Sequence, residues 1–231
     1  MARCNHDCAG PVSSRSRRAS PRSSRNGPDI LKALASAPLQ ERRGRARLTD
    51  PFRPDSTVSQ PTKLIFLPGA SGDTRFWAPV ASRLGHPAAH VHFGWPGFGP
   101  TPADPRVASF DDLVGRVVLA VDQPCALIAQ SMGGVVALSV ALRRPSLVTH
   151  LVLTATSGGL DVSSFGAQDW RPSFARAYPR VPDWFGALTL DLSARLPSIA
   201  VPTLLLWGDA DPISPVTVGR RLQGLLPNAH L

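Results

Sequence analysis

From Lys63 onward, short apolar runs alternate with longer stretches of helical periodicity, and that alternation leaves few folds open. The runs are Leu64–Leu67, His90–Phe93, Cys125–Ala129, Leu151–Thr154 and Thr203–Trp207, most of them closed by Gly, Pro or Ser. Runs this short without polar alternation suit strands buried on both faces. Between them the spacing predicts helices over Thr74–Leu84, Phe110–Val121, Met132–Arg143 and Pro215–Leu226, the last with a proline suited to a first helical turn. Strand and helix in alternation imply an α/β fold: a mostly parallel sheet with helices on both faces, joined by right-handed crossovers.

The 231 residues are 43% hydrophobic and 6% aromatic, enough for one sizeable core. Charge is unevenly spread. Residues 1–60 hold 12 Lys and Arg against 5 Asp and Glu, whereas residues 61–231 hold 13 against 11. The basic stretch, with Ser13-Ser14-Arg15-Ser16-Arg17-Arg18 and Arg42-Arg43-Gly44-Arg45-Ala46-Arg47, lacks apolar periodicity and reads as a disordered tail preceding a core over 61–231. Arginines bind phosphates without reading sequence, but the tail carries a single aromatic, Phe52, and no recognised nucleic-acid motif, so no nucleic-acid partner is expected. Cys4, His6 and Cys8 crowd three ligands into five residues with no second cluster, which does not match structural zinc spacing. Cys125 sits inside an apolar run and reads as a small core residue. With no signal-peptide core and no apolar span of about 20 residues, the expectation is a soluble cytoplasmic protein.

The chemistry concentrates at Ala129-Gln130-Ser131-Met132-Gly133-Gly134, where the third apolar run gives way to a helical pattern. A serine on a sharp strand-to-helix turn projects its hydroxyl above the sheet, and small residues two positions before and after it let strand and helix approach. Leu67-Pro68-Gly69-Ala70 closes the first run, Gly94-Trp95-Pro96-Gly97-Phe98-Gly99 follows the second, and Gly208-Asp209-Ala210-Asp211-Pro212 follows the fifth. Together, over residues 62–231, these motifs resemble the α/β-hydrolase superfamily, in its serine-hydrolase branch with a small cap.

The resemblance implies an acyl-enzyme mechanism with Ser131 as nucleophile, the backbone N–H groups of Ala70 and Met132 as the oxyanion hole, and Asp211 as the triad acid, with Asp209 as fallback. It implies a small apolar ester-like substrate. The Pro-Gly-Phe-Gly loop is expected to be architectural, relying on glycine's backbone freedom. No Gly-rich dinucleotide fingerprint or phosphate loop follows a strand, so no cofactor is implied.

The base is the departure from the pattern. In the family it follows a further strand beyond the acid, whereas here Leu226-Pro227-Asn228-Ala229-His230-Leu231 only approaches such a strand. At about 3.3 Å per residue, a histidine at a strand's start lies roughly 10 Å or more from its far end, so His230 is a poor base. His90 and His92 share one strand face, His86 lies in a loop and His150 starts a strand; all read as structural. No catalytic histidine is therefore assigned, the sequence reads as a C-terminally truncated and impaired hydrolase, and Thr203–Trp207 is expected to be an uncovered apolar edge.

Residues 156–201 interrupt the alternation with Phe165, Trp170, Phe174, Tyr178, Trp184 and Phe185 among prolines and read as a cap insertion. Its rings either line an apolar pocket or pin the cap to the core. Two functional readings stay open: a serine hydrolase, and a noncatalytic protein of the same fold that binds a small apolar ligand. Deleting the tail separates both from a nucleic-acid-binding chain.

Overall fold

The computed structural model describes residues 59–231; the basic stretch, with Cys4, His6 and Cys8, lies outside them. Six strands form one all-parallel sheet: β1 Lys63–Leu67, β2 Ala89–His92, β3 Cys125–Gln130, β4 Val148–Thr154, β5 Thr203–Leu206 and β6 Ala229–His230. Their order is β2-β1-β3-β4-β5-β6. The chain leaves β1 outward to β2 and then crosses back to β3, so the connections after β1 and β3 diverge in opposite directions. A crevice opens at such a switch point, beyond the carboxyl ends of the strands.

Alternate residues of each strand feed two cores. Ile65 and Leu67 join Leu127, Leu151, Leu153 and Leu205 on one face, packed under helices α2 (Phe110–Ala120), α3 (Met132–Arg143) and α6 (Val216–Leu225). Leu64 and Phe66 join Ala126 and Ile128 on the other, under Trp77 and Ala81 beside the short helix α1 (Ala78–Ala81). Helices therefore cover both faces. The central strand β3 is buried along its whole apolar length, which is why its sequence shows no polar alternation. Cys125 is fully buried, and loss of hydration pushes its thiol up to about 11, so it is a core residue and not a nucleophile.

The ends of α2 follow from its sequence. Ser109 Oγ accepts from the Asp112 N–H at 3.1 Å while the Asp112 carboxylate accepts from the Ala108 N–H at 3.1 Å, a reciprocal cap. The helix expected over Thr74–Leu84 is a correction: only Ala78–Ala81 is helical. Before it the chain makes four-residue turns, Phe76 N–H to Asp73 O and Ala78 N–H to Arg75 O. The Asp73 carboxylate takes the Arg75 N–H at 2.9 Å, competing with helical bonding, and Pro79 has no N–H to give. Pro215 lies just outside α6 as its N-cap. The uncovered edge is also corrected in part: β6 pairs with β5 through Thr203–Ala229 and Leu204–His230, whereas Leu206 beyond them is 44% exposed.

Between β4 and β5 lie two short helices, α4 (Arg171–Ala177) and α5 (Asp183–Gly186), flanked by single 3₁₀ turns at Ser163–Phe165 and Leu196–Ser198. Among the described residues no helix is long and apolar enough to cross a membrane.

Two half-buried histidines make stability pH-dependent. Burial pushes His92, beside His90, and His150, beside His86, below the ordinary value of 6.5, so the folded state favours the neutral rings. Their contribution is complete above that value and is lost as pH falls through the depressed values, where the unfolded chain takes up protons first. The carboxylates of partly buried Asp73 and exposed Asp122, lowered by their partners Arg75 and Lys63, stay ionised throughout this window. Urea midpoints are expected to drop between about pH 7.5 and about pH 5, with a His92→Gln, His150→Gln double variant showing a flatter profile. Identical slopes for the two proteins would exclude these rings as the cause.

Candidate active site

β3 passes directly into α3 at Ser131, which adopts φ 51° and ψ −119°. A side chain pays for that conformation in strain, on the order of 1–3 kcal/mol, and it persists only where the surroundings enforce it. Here they tie both backbone groups. The Ser131 N–H donates to Thr154 O at 3.0 Å, and its carbonyl accepts from the Gly134 N–H at 2.9 Å and from Thr156 Oγ1 at 2.6 Å.

The turn after β1 is held as firmly. The indole N–H of Trp77 donates to Leu67 O and that of Trp95 to Pro68 O, both at 2.9 Å, and the Gly72 N–H donates to Gly69 O at 3.1 Å. With those carbonyls engaged, the N–H of Ala70 has no partner among the described residues, and neither has that of Met132, the first residue of α3. The two segments touch at Gly133, where a Cβ would lie 2.5 Å from both Leu67 O and Pro68 O. Gly97, in the loop after β2, has φ 82°, the backbone freedom expected of it.

Ala70, Ser131 and Met132 line one cleft of about 800 Å³ at the carboxyl ends of the strands. Its other walls come from Val135 of α3, from Ala155–Val162 after β4, from the β4–β5 connection and from Ile213 and Ser214 after β5. The aromatics of the β4–β5 connection divide. Trp170 and Phe174 face the cleft and Trp184 packs on Phe98 and Phe110, while Phe185 does both, its ring 5.1 Å from those of Trp170 and Phe98. Lining and pinning are thus two ends of one aromatic cluster. The mouth is acidic: the carboxyls of Asp161 and Asp191 are held below the usual range by the backbone N–H groups of Ser163 and Ser193, and Asp169 pairs with Arg171 at 3.3 Å.

Asp211 does not line the cleft, but its turn does. Oδ1 accepts from the N–H groups of Ile213 at 2.8 Å and Ser214 at 3.0 Å, both cleft residues. Asp209 is exposed and has no hydrogen-bond partner among the described residues, so only Asp211 has a fixed carboxylate.

No histidine of the described residues lines the cleft. His230 is level with Leu204 on β5, while Gln130, Thr154 and Leu206 mark the strand ends beneath Ser131. It therefore lies roughly 10 Å short of Ser131 along the strands and about 14 Å across three strand spacings. His90 and His92 pack against Phe66, with ring centroids 5.3 and 4.6 Å away. His150 Nδ1 lies 3.0 Å from Thr149 Oγ1. No group of three or more His, Cys, Asp and Glu among the described residues is arranged to hold a metal ion.

Two site residues carry no signal in the sequence. Thr156, which bonds the Ser131 carbonyl, follows β4 as an ordinary polar loop residue, and Ser214 sits in a turn. Besides their local bonds, the partners that tie them to the site, Ser131 O for Thr156 and Thr156 O for Ser214, lie 25 and 58 residues away in sequence.

The strain at Ser131 and the crowding at Gly133 predict opposite responses. Ser131→Gly is expected to stabilise the protein by about 1 kcal/mol while removing its hydroxyl. Gly133→Ala is expected to destabilise it by about 1–3 kcal/mol, because backbone must move. Urea denaturation reads both, and a destabilised Ser131→Gly variant would show that the junction holds no strain.

Comparison with known proteins agrees with this architecture. A curated relative, the biotin biosynthesis bifunctional protein BioHC of Teredinibacter turnerae, is 23% identical over 224 residues, which take in 71% of this chain and 39% of that protein. The chain thus spans well under half the length of that relative. Among solved structures, a membrane phospholipase A described as a bacterial virulence factor aligns with a TM-score of 0.60 at 24% identity, covering 74% of this chain and 70% of the other. The esterase EaEST of Exiguobacterium antarcticum aligns with a TM-score of 0.58 at 17% identity, covering 75% and 83%. Such low identities speak to the fold alone. Residues 64–231 also match the sequence profile of the alpha/beta hydrolase family, nearly the whole of the described core, and the chain belongs to that family.

Proposed function

We propose that the chain carries the acyl-transfer site of a serine hydrolase acting on a carboxylic ester or a related carbonyl compound. The observation that carries this reading is the strained Ser131 at the strand–helix junction, opening into the same cleft as the unpartnered N–H groups of Ala70 and Met132. In the reaction, Ser131 Oγ attacks the carbonyl carbon as its proton passes to a base. The two N–H groups hold the oxyanion as the tetrahedral intermediate forms, and the alcohol leaves to give the acyl-enzyme. Water then attacks the ester of Ser131 and releases the acid. Asp211, its Oδ1 held by two backbone N–H groups, is the acid that would orient an imidazole. Val135, Leu160, Trp170, Phe174 and Phe185 favour a substrate with an apolar portion.

Among the described residues no imidazole lines the cleft. Loss of a triad histidine lowers turnover by roughly 10⁶-fold, so slow hydrolysis is expected of this chain by itself. That same observation favours a second reading, a family member that binds an apolar ligand without turnover.

Free imidazole separates the two. Added to the 231-residue chain with a short-chain p-nitrophenyl ester, it is expected to stimulate hydrolysis at least about tenfold over the rate with Ser131→Ala, which shares the background reaction of imidazole in solution. Equal rates for the two proteins would overturn the nucleophile assignment. Saturable binding of a nonhydrolysable apolar ketone alongside those equal rates would establish the binding protein.

A further inference from the structure

Thr156 follows β4 and Ser214 closes the turn of Asp211, and between them they span the gap from the Ser131 junction to that turn. Both are buried, Thr156 fully and Ser214 to 6% exposure. Thr156 Oγ1 donates to Ser131 O at 2.6 Å and accepts from the Gly158 N–H at 3.1 Å, so both hydrogen-bonding roles of its hydroxyl are filled. The backbone carbonyl of the same residue accepts from Ser214 Oγ at 3.4 Å, and that hydroxyl accepts in turn from Trp207 Nε1 at 3.2 Å. The Ser214 N–H donates to Asp211 Oδ1 at 3.0 Å. One continuous path therefore runs from the Ser131 carbonyl through Thr156 and Ser214 to the Asp211 carboxylate.

The packing supports the same path. A Cβ on Gly134 would fall 2.5 to 2.8 Å from the side-chain atoms of Thr156, so the first turn of α3 is open at the place where that side chain enters. Ser131 occupies a conformation that its surroundings must enforce, and two of the three hydrogen bonds to its backbone come from Thr154 and Thr156. Asp211 lies on a different connection, and Ser214 is the residue through which that connection reaches Thr156.

We propose that Thr156 and Ser214 are positioning residues that lock the nucleophile elbow to the acid turn, so that Ser131 and Asp211 hold their geometry as one unit. The functional meaning of this lock rests on the reading of Ser131 as nucleophile and Asp211 as acid; the mechanical lock does not. A buried hydrogen-bonded path of this kind couples its ends, and the coupling shows as a response at one end to a deletion at the other.

Amide hydrogen exchange in the full chain reads that coupling without any need for activity. Ser214→Ala deletes one hydroxyl at the outer end and is expected to speed exchange of the Gly134 amide, which bonds the Ser131 carbonyl, by about tenfold. Thr156→Val, similar in shape, is expected to speed exchange of the Ser214 amide by a similar factor, whereas Thr156→Ser, which keeps the hydroxyl, restores the parent rate. Exchange at the distant amide within about twofold of the parent in a folded Ser214→Ala variant overturns the proposal, and this arm decides alone if Thr156→Val does not fold. The Ser131-dependent, imidazole-assisted ester hydrolysis is expected to fall in kcat with KM little changed in Ser214→Ala and in Thr156→Val, and to keep the parent kcat in Thr156→Ser. If the parent chain shows no Ser131-dependent rate, the proposed function fails, while the exchange measurement still decides the lock.

Discussion

The close approach of α3 to the exit of β1 at Gly133 is the contact on which the rest of the site depends. A side chain there would meet two carbonyl oxygens at 2.5 Å, and those carbonyls are fixed by the indoles of Trp77 and Trp95. Because the helix starts so near, Ser131 has no room for an ordinary strand-to-helix transition and takes a positive φ. At the same cleft the Ala70 and Met132 N–H groups have no partner among the described residues. Strain, donor placement and cleft are consequences of one packing event at the switch point of the sheet.

The cleft is asymmetric in a way that matters for binding. Its inner wall is the aliphatic face of α3 with the aromatic cluster of the β4–β5 connection, while its mouth carries Asp161, Asp169 and Asp191 with Arg171 already paired. Phe185 joins the wall to Phe98 in the core. The connection is also tied to the loop of Asp211, through the Gln168 N–H to Pro212 O at 2.8 Å, and to β4's exit through the Leu192 N–H to Gly159 O at 2.8 Å. The segment over the cleft is thus part of its architecture, anchored on both sides by backbone bonds.

Much of this was legible in the chain's order of residues. Buried parallel strands announce themselves as apolar runs because neither face meets water, and β1, β3, β4 and β5 are read to within a few residues. The helix over Thr74–Leu84 was overread because Asp73 and Pro79 act on hydrogen bonding, not on apolar spacing. The choice between Asp209 and Asp211 rests in sequence on family position, whereas in the fold Asp211 alone is held by neighbouring N–H groups. Thr156 and Ser214 carry no signal in the sequence, since the bonds that join them to Ser131 and to each other span 25 and 58 residues.

The sequence by itself determined the layering of the molecule and the local turn at Ser131, because periodicity and small-residue spacing act over a few neighbouring positions. It also placed His230 near the start of a strand, and the pairing of that strand, Ala229–His230, sets His230 level with Leu204 and below Ser131. Tertiary structure decided which N–H groups lack partners among the described residues, which aromatic rings face the cleft and how the Ser131 junction is linked to the turn of Asp211. Each of those depends on segments that meet only when the sheet assembles, and burial there converts ordinary serines, threonines and tryptophans into specific hydrogen-bond partners.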